Sequence, residues 1–212
     1  MSVQGKRDFD KEAAQWDAQS RRVKLANDVA RAIIREINPS VTMDVIDFGC
    51  GTGLLTLNLQ PFVKSITGLD SSQEMLGMLE KKVAAQGLSN VQTQFVDIEN
   101  KRGIDGSYDL IVSNMTLHHV PDTAALFKEW FRILRPKGQL CFADLDAEDG
   151  SFHPDNTGVF HFGFDREKLR QLLQDAGFSD VRDTTASTIT KENDKSGARE
   201  YPVFLISTTR IG

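Results

Sequence analysis

The chain of 212 residues is short of cysteine, tyrosine and tryptophan, with two of each, and it carries no excess of positive charge. Cys50 stands among glycines and Cys141 in an apolar run, so neither belongs to a disulfide framework or a cysteine metal site. A formal net charge of −5 argues against a broad nucleic-acid surface, though not against a local basic patch. No apolar run approaches the roughly 20 residues needed to cross a bilayer, and Met1 to Asp17 is polar and charged, unlike a signal peptide. The expectation is a soluble cytoplasmic protein without a membrane span. There is no internal repeat and no low-complexity segment. Hydrophobic residues make up 40% of the chain, enough for the core of one domain with a small extension.

What the chain does have is Val45-Ile46-Asp47-Phe48-Gly49-Cys50-Gly51-Thr52-Gly53, an apolar strand running into three glycines spaced two apart. Leu54, Leu55, Leu57 and Leu59 then follow in a helical pattern. A strand that turns over such glycines into a helix keeps side chains from between backbone and ligand. Further strands are expected at Ser65 to Leu69, Val91 to Val96, Tyr108 to Ser113 and Gln139 to Leu145. Helices are expected at Asp10 to Gln19, Arg21 to Ile37, Ser72 to Gln86, Thr123 to Leu134 and Asp165 to Ala176. This alternation implies an α/β fold with a parallel sheet and right-handed crossovers. Val181 to Thr188 and Pro202 to Thr208 read as a terminal pair that adds an antiparallel strand at the sheet edge. Thr190 to Glu200 between them reads as an exposed, charge-rich loop.

The glycine order is Gly-x-Gly-x-Gly. Leu54 stands where a dinucleotide fingerprint wants its third glycine or alanine. Asp47, two residues before the first glycine, suits a ligand with a cationic end better than a phosphate. Asp47 to Gly53 resembles motif I of the class I S-adenosylmethionine-dependent methyltransferases. The resemblance extends over about Asp10 to Phe204 and is closest to the small-molecule enzymes of type 11 and 12, including those of quinone biosynthesis. It implies a Rossmann-like fold: a mostly parallel seven-stranded sheet with an antiparallel C-terminal strand, helices on both faces and an N-terminal helical lid. The division expected is a helical cap over 1–40 and a cofactor-binding domain over 41–212.

The resemblance assigns S-adenosylmethionine to Asp47, Gly49, Cys50, Gly51, Thr52 and Gly53. Asp70 with Ser71 would hold the ribose hydroxyls by charge-assisted hydrogen bonds; the alternative is that Asp70 complements a helix N-terminus capped by Ser71 or Ser72. Met75 would pack on adenine or serve the core. Asp97 and Ile98 would meet the adenine amino group and ring, or form a solvated turn. Asn114 would contact the amino-acid end of the cofactor. His118 and His119 follow, one expected toward the cleft and the other packed outside, with no metal site foreseen.

On the acceptor side, Trp16 in the Phe9 to Asp17 segment would shield the sulfonium, stack on substrate or only anchor a helix. Phe160, His161 and Phe162 would line the acceptor pocket. His118, His119 or His161 would serve as general base for a hydroxyl acceptor. The partner expected is a small-molecule methyl acceptor. Ser113-Asn114-Met115-Thr116 stands where amide- and nucleobase-methylating relatives carry Asn/Asp-Pro-Pro-Tyr, and the chain is acidic, which counts against nucleic acid. A protein or RNA methyltransferase and a non-catalytic S-adenosylmethionine-binding regulator remain as alternatives. A nicotinamide oxidoreductase is disfavoured by Leu54 and by the lack of a Tyr-x-x-x-Lys pair.

Overall fold

The computed structural model describes residues 7–96, 104–193 and 197–212. Seven strands form one sheet in the order β3-β2-β1-β4-β5-β7-β6. They are β1 (Asp44–Phe48), β2 (Ser65–Asp70), β3 (Val91–Phe95), β4 (Tyr108–Asn114), β5 (Leu134–Leu145), β6 (Phe178–Asn193) and β7 (Gly197–Arg210). The first five pair in parallel, and β7 runs antiparallel to both β5 and β6. This is the expected sheet. The central strands β1, β4 and β5 are largely apolar because both faces are covered, whereas the edge strands β3 and β6 are largely polar. Val45, Leu110, Val112, Cys141 and Ala143 face α1 (Ser20–Ile37), α2 (Leu54–Leu59) and α3 (Gln73–Gln86). Ile46, Phe48, Ile111, Leu140 and Phe142 face α4 (Thr123–Ile133) and α5 (Arg166–Asp175).

Helix boundaries follow local chemistry. Ser72 caps α3 by accepting from the Met75 amide, and Gly87 closes it at φ +63°. Asp165 accepts from Glu167 and Lys168 at the start of α5. Gly77 lies inside α3 with open space where a Cβ would be. Gly77→Ala should therefore stabilise the protein by about 0.5–1 kcal/mol, measurable by urea unfolding, because alanine removes the glycine's entropic cost in a helix.

Two readings need correction. α4 ends at Ile133 and β5 begins at once at Leu134 rather than at Gln139. Arg135 to Gly138 bulge out between the pairings Tyr108–Leu134 and Leu110–Gln139, with Lys137 at φ +67°. The segment read as a loop from Thr190 to Glu200 is strand at both ends, paired in register through Asn193–Gly197. The polar residues hid an alternation: Ile189 and Tyr201 are buried and face each other across the ladder. Phe152 packs edge-on against Tyr201 at 5.2 Å.

The strand order reverses between β1 and β4, and in open α/β sheets that switch point, outside the strands' carboxyl ends, is where ligands bind. Over it lies a 3-10 helix, Asp10–Ala18. Asp10 accepts from Ser72 Oγ and the Glu74 amide, and Asp17 accepts from Thr52 Oγ1 at 2.6 Å and pairs with Lys82. No helix among the described residues is long and apolar enough to cross a membrane.

Candidate functional site

A cavity of about 530 Å³ opens at the switch point, between the glycine turn, the N-terminal 3-10 helix and the loops after β4 and β5. The glycine turn is tied down by its amides: Gly49 and Cys50 both donate to Leu69 O, at 2.8 and 3.0 Å. The three glycines do different work. Gly49, at φ +71°, passes so close to Thr116 that a Cβ would lie 2.2 Å from its Oγ1. Gly53, at φ +83°, is filled from behind by Leu79, 2.3 Å from its Cβ position. Gly49 and Gly51 both line the cleft, and of the two Gly51 is the more open, with Met75 Sδ and Trp16 Nε1 each 4.0 Å from where a Cβ would stand. Gly53 is thus a packing glycine rather than a ligand contact, and Thr52 is buried against Asp17. Gly53→Ala should cost about 2–4 kcal/mol, from left-handed strain plus overpacking, and lower the calorimetric Tm by several degrees.

Two carboxylates stand beside Gly51. Asp70, at the end of β2, accepts from Gly51 N at 2.8 Å and Ser72 N at 2.9 Å, and burial raises its pKa. Asp47, at the end of β1, is 1% exposed and accepts from Thr56 Oγ1 at 2.6 Å. Burial first, then the nearby Asp70 charge, pushes its pKa up to about 7 against the Thr56 hydrogen bond. Opposite them, at the end of β4, Asn114 Oδ1 is buried without a partner among the described residues. The next residue, Met115, is held at φ +57°, a strained value for its type. An orphan acceptor sharing a cleft with Asp47 and Asp70 suits a ligand's N–H or O–H donors. Cys50, Ser71, Met75 and Trp16 also line the cleft, with the Arg22 guanidinium 3.5 Å over the Trp16 ring. Asp97 and Ile98 lie outside the described residues.

The far wall is made of histidine. His118 and His119 share a 3-10 turn, Leu117–His119, and both line the cleft, contrary to the expectation that one packs outside. His153 joins them, with ring centroids 5.0 Å from His118 and 5.8 Å from His119. His118 is 1% exposed, and its Nδ1 donates to Asp144 Oδ1 at 2.7 Å, which leaves Nε2 for the cleft. Burial would raise Asp144, but the charge and hydrogen bonds of His118 outweigh it and hold the carboxyl low. His119 Nδ1 donates to Gly158 O at 2.7 Å. Burial, then the neighbouring His118, pushes both His119 and His153 down to about 3. At neutral pH neither takes up a proton readily.

Two expected acceptor-side residues do not line the cleft. His161 donates through Nε2 to Val120 O at 2.9 Å and packs on Phe164, and Phe162 points away, 44% exposed. The loop turns over Gly158 and Gly163, both at positive φ, and this sends Phe160 and His153 into the cleft and His161 behind it. Asp144 was missed, though a lone acid in the apolar run Cys141 to Leu145 carries the same signal as Asp47 in β1. Lys191 was missed because it stood in the misread loop, and Ile189 because it lay between that loop and the strand read as ending at Thr188.

The three imidazoles bring one ring nitrogen each within 4.8 Å of one another, close enough to share a metal ion. Arg7, whose guanidinium approaches His153 Nδ1 at 3.4 Å, opposes a second cation there.

A family model described as a methyltransferase domain matches residues 18–183. An uncharacterized methyltransferase of Schizosaccharomyces pombe is 29% identical over 66% of this chain and 54% of its own length. Phosphoethanolamine N-methyltransferase 1 of Arabidopsis thaliana is 29% identical over 73% of this chain and 32% of its own. The chain thus spans about half of the first relative and a third of the second. In fold, a SAM-dependent methyltransferase from Aquifex aeolicus superposes with a TM-score of 0.70 at 21% identity, covering 97% of this chain and all of that one.

Proposed function

The chain belongs to the class I S-adenosylmethionine-dependent methyltransferases, and from that premise we propose that it methylates a small-molecule acceptor in the cleft between Gly51 and His118. The observation that supports this reading is the buried Asn114 oxygen, without a partner among the described residues, in the same cleft as Asp47, Asp70 and the open Gly51. The methyl donor, when bound, supplies an activated methyl group on a sulfonium. Asp70 and Ser71 would hold its ribose end, Gly51 and Met75 would meet the nucleoside, and Asp47 and Asn114 would take the ammonium of the amino-acid end. Trp16 and Phe9, edge-on at 6.1 Å, cover the cleft and exclude water. His118 Nε2 receives the acceptor's proton while Asp144 stabilises the resulting imidazolium. Fixing the acceptor in line with the methyl supplies roughly 7–11 kcal/mol of the barrier.

The cleft volume of about 530 Å³ supports a small acceptor, and the Arabidopsis thaliana relative is named for one. Turnover tests this. Protein is incubated with S-adenosylmethionine and either a small-molecule or a macromolecular cell fraction. S-adenosylhomocysteine should form with the former. Formation only with the latter contradicts the reading.

Asp47 gives a second test. With its pKa near 7, it is partly protonated in the free protein, and an ammonium placed beside it lowers that pKa. Binding of S-adenosylhomocysteine should therefore release up to about one proton near pH 6.5, and affinity should fall as pH drops below about 7. Calorimetry in buffers of different ionisation enthalpy reads the release, which Asp47→Asn should abolish.

A further inference from the structure

We propose that the acceptor carries an acidic group, a carboxylate or a phosphate, which seats at the Lys191 end of the cleft; this rests on the reading above. Four cations line that end: Arg7, Arg21, Arg22 and Lys191. Arg7 and Arg22 both pair with a single carboxylate, Glu12, Arg7 through two nitrogens at 2.8 and 3.1 Å and Arg22 at 3.1 Å. Among the described residues, Arg21 and Lys191 have no ion-pair partner. Lys191 is not a solvated lysine. It is carried inward by β6, its ammonium lies 3.5 Å over the Phe152 ring, and it donates to Phe152 O.

The charge count makes the argument. Four cations line this end against Glu12 in the cleft and Glu148 near Lys191, and the two other acids of the cleft, Asp47 and Asp70, are at the glycine turn. The amino-acid end of the methyl donor brings one carboxylate. Positive charge is still in excess once that carboxylate is seated, and half-buried positive charge without a counter-ion is costly. The cost is visible at Lys191: burial first, then Arg21, outweighs the pull of Glu148 and lowers its pKa to about 8. Perturbation by burial and like charges in a cleft marks a ligand site. Phe152 and His153, edge-on at 4.8 Å, and then His118 lead from Lys191 to the proposed base. The acceptor therefore spans from an anionic end at Lys191 to a reacting atom at His118, with an apolar or aromatic body between them.

The test titrates inorganic phosphate, benzoate and neutral benzamide into the intact protein already saturated with S-adenosylhomocysteine, so that the donor's own carboxylate is accounted for. The result expected is saturable binding of at least one anion and none of benzamide, with affinity reduced at least tenfold in Lys191→Gln and Arg21→Gln. Phosphate alone binding identifies a phosphate acceptor, and benzoate alone a carboxylate. S-adenosylhomocysteine affinity in Lys191→Gln should stay within threefold of wild type, which shows the variant folded and its donor site intact. Anion binding that is absent, or unchanged in both variants, overturns the proposal. If S-adenosylhomocysteine itself fails to bind, the methyltransferase reading falls separately, and the same anions titrated into the free protein still read the basic site.

Discussion

Asp70→Ala is expected to weaken S-adenosylhomocysteine binding by at least about 100-fold, since two hydrogen bonds to a charged group, each worth about 1.5–3 kcal/mol, are lost together. The same carboxylate also holds the amides of Gly51 and Ser72, so the turn loses its anchor as well as the ribose its partner. Asp70→Asn separates the two effects. It retains one oxygen for an amide donor but not the charge, and should restore most of the thermal stability while leaving affinity at least about tenfold below wild type. A pure capping role for Asp70 predicts the opposite: lower stability in both variants with little change in affinity for the folded fraction. Isothermal titration beside scanning calorimetry decides between them.

Asp144→Asn is expected to reduce kcat by about 10²–10⁴, with S-adenosylhomocysteine affinity within threefold of wild type, when the acceptor loses a proton on methylation. The amide cannot stabilise an imidazolium, and it can turn His118 to the tautomer that presents N–H rather than a lone pair to the cleft. Both groups are fully buried, and Asp144 also accepts from the His118 and Leu145 amides, so the variant loses some stability as well, which scanning calorimetry reads beside the kinetics. His118→Ala should lose kcat similarly. A reacting carbon or thiolate that needs no base predicts unchanged kcat in both variants. His119→Ala and His161→Ala should leave the chemical step within about tenfold of wild type, His119 because burial keeps it from taking a proton and His161 because it is spent on Val120 O. Single-turnover kinetics on an acceptor purified from the active small-molecule cell fraction measures all four.

The cofactor side of the cleft was legible because short, sequential signals specify it. A strand ending in an acid, glycines two apart, and an acid at the end of the next strand place Asp47, Gly51 and Asp70 together with no long-range information beyond the βαβ crossover. Even there the sequence could not tell which glycine meets the ligand, since Gly49 and Gly53 answer to Thr116 and Leu79, remote in sequence. The acceptor side was legible only in part because it is assembled from loops. Which of His153 and His161 enters the cleft depends on where the chain reverses at Gly158 and Gly163. At Gly163 a Cβ would lie 2.1 Å from Asp146 O, a contact no local pattern announces. The strand carrying Lys191 was hidden because alternation with charged outward residues looks like a solvated loop until a partner strand is known. Its buried Ile189 and the Tyr201 opposite it on β7 were the available signal. The histidine turn was seen, but its orienting acid, Asp144, was not, since it sits on β5 and reaches His118 only through the parallel pairing of β4 with β5.

The measurement that tests the account most directly is a crystal structure of the protein grown with S-adenosylhomocysteine. The account predicts the ribose hydroxyls on Asp70, the nucleoside against Gly51 and Met75, the amino group on Asp47 and Asn114 Oδ1, and the sulfur facing the wall of His118, His119 and His153. A nucleoside bound elsewhere, or one in this cleft with its sulfur turned away from His118, would contradict it.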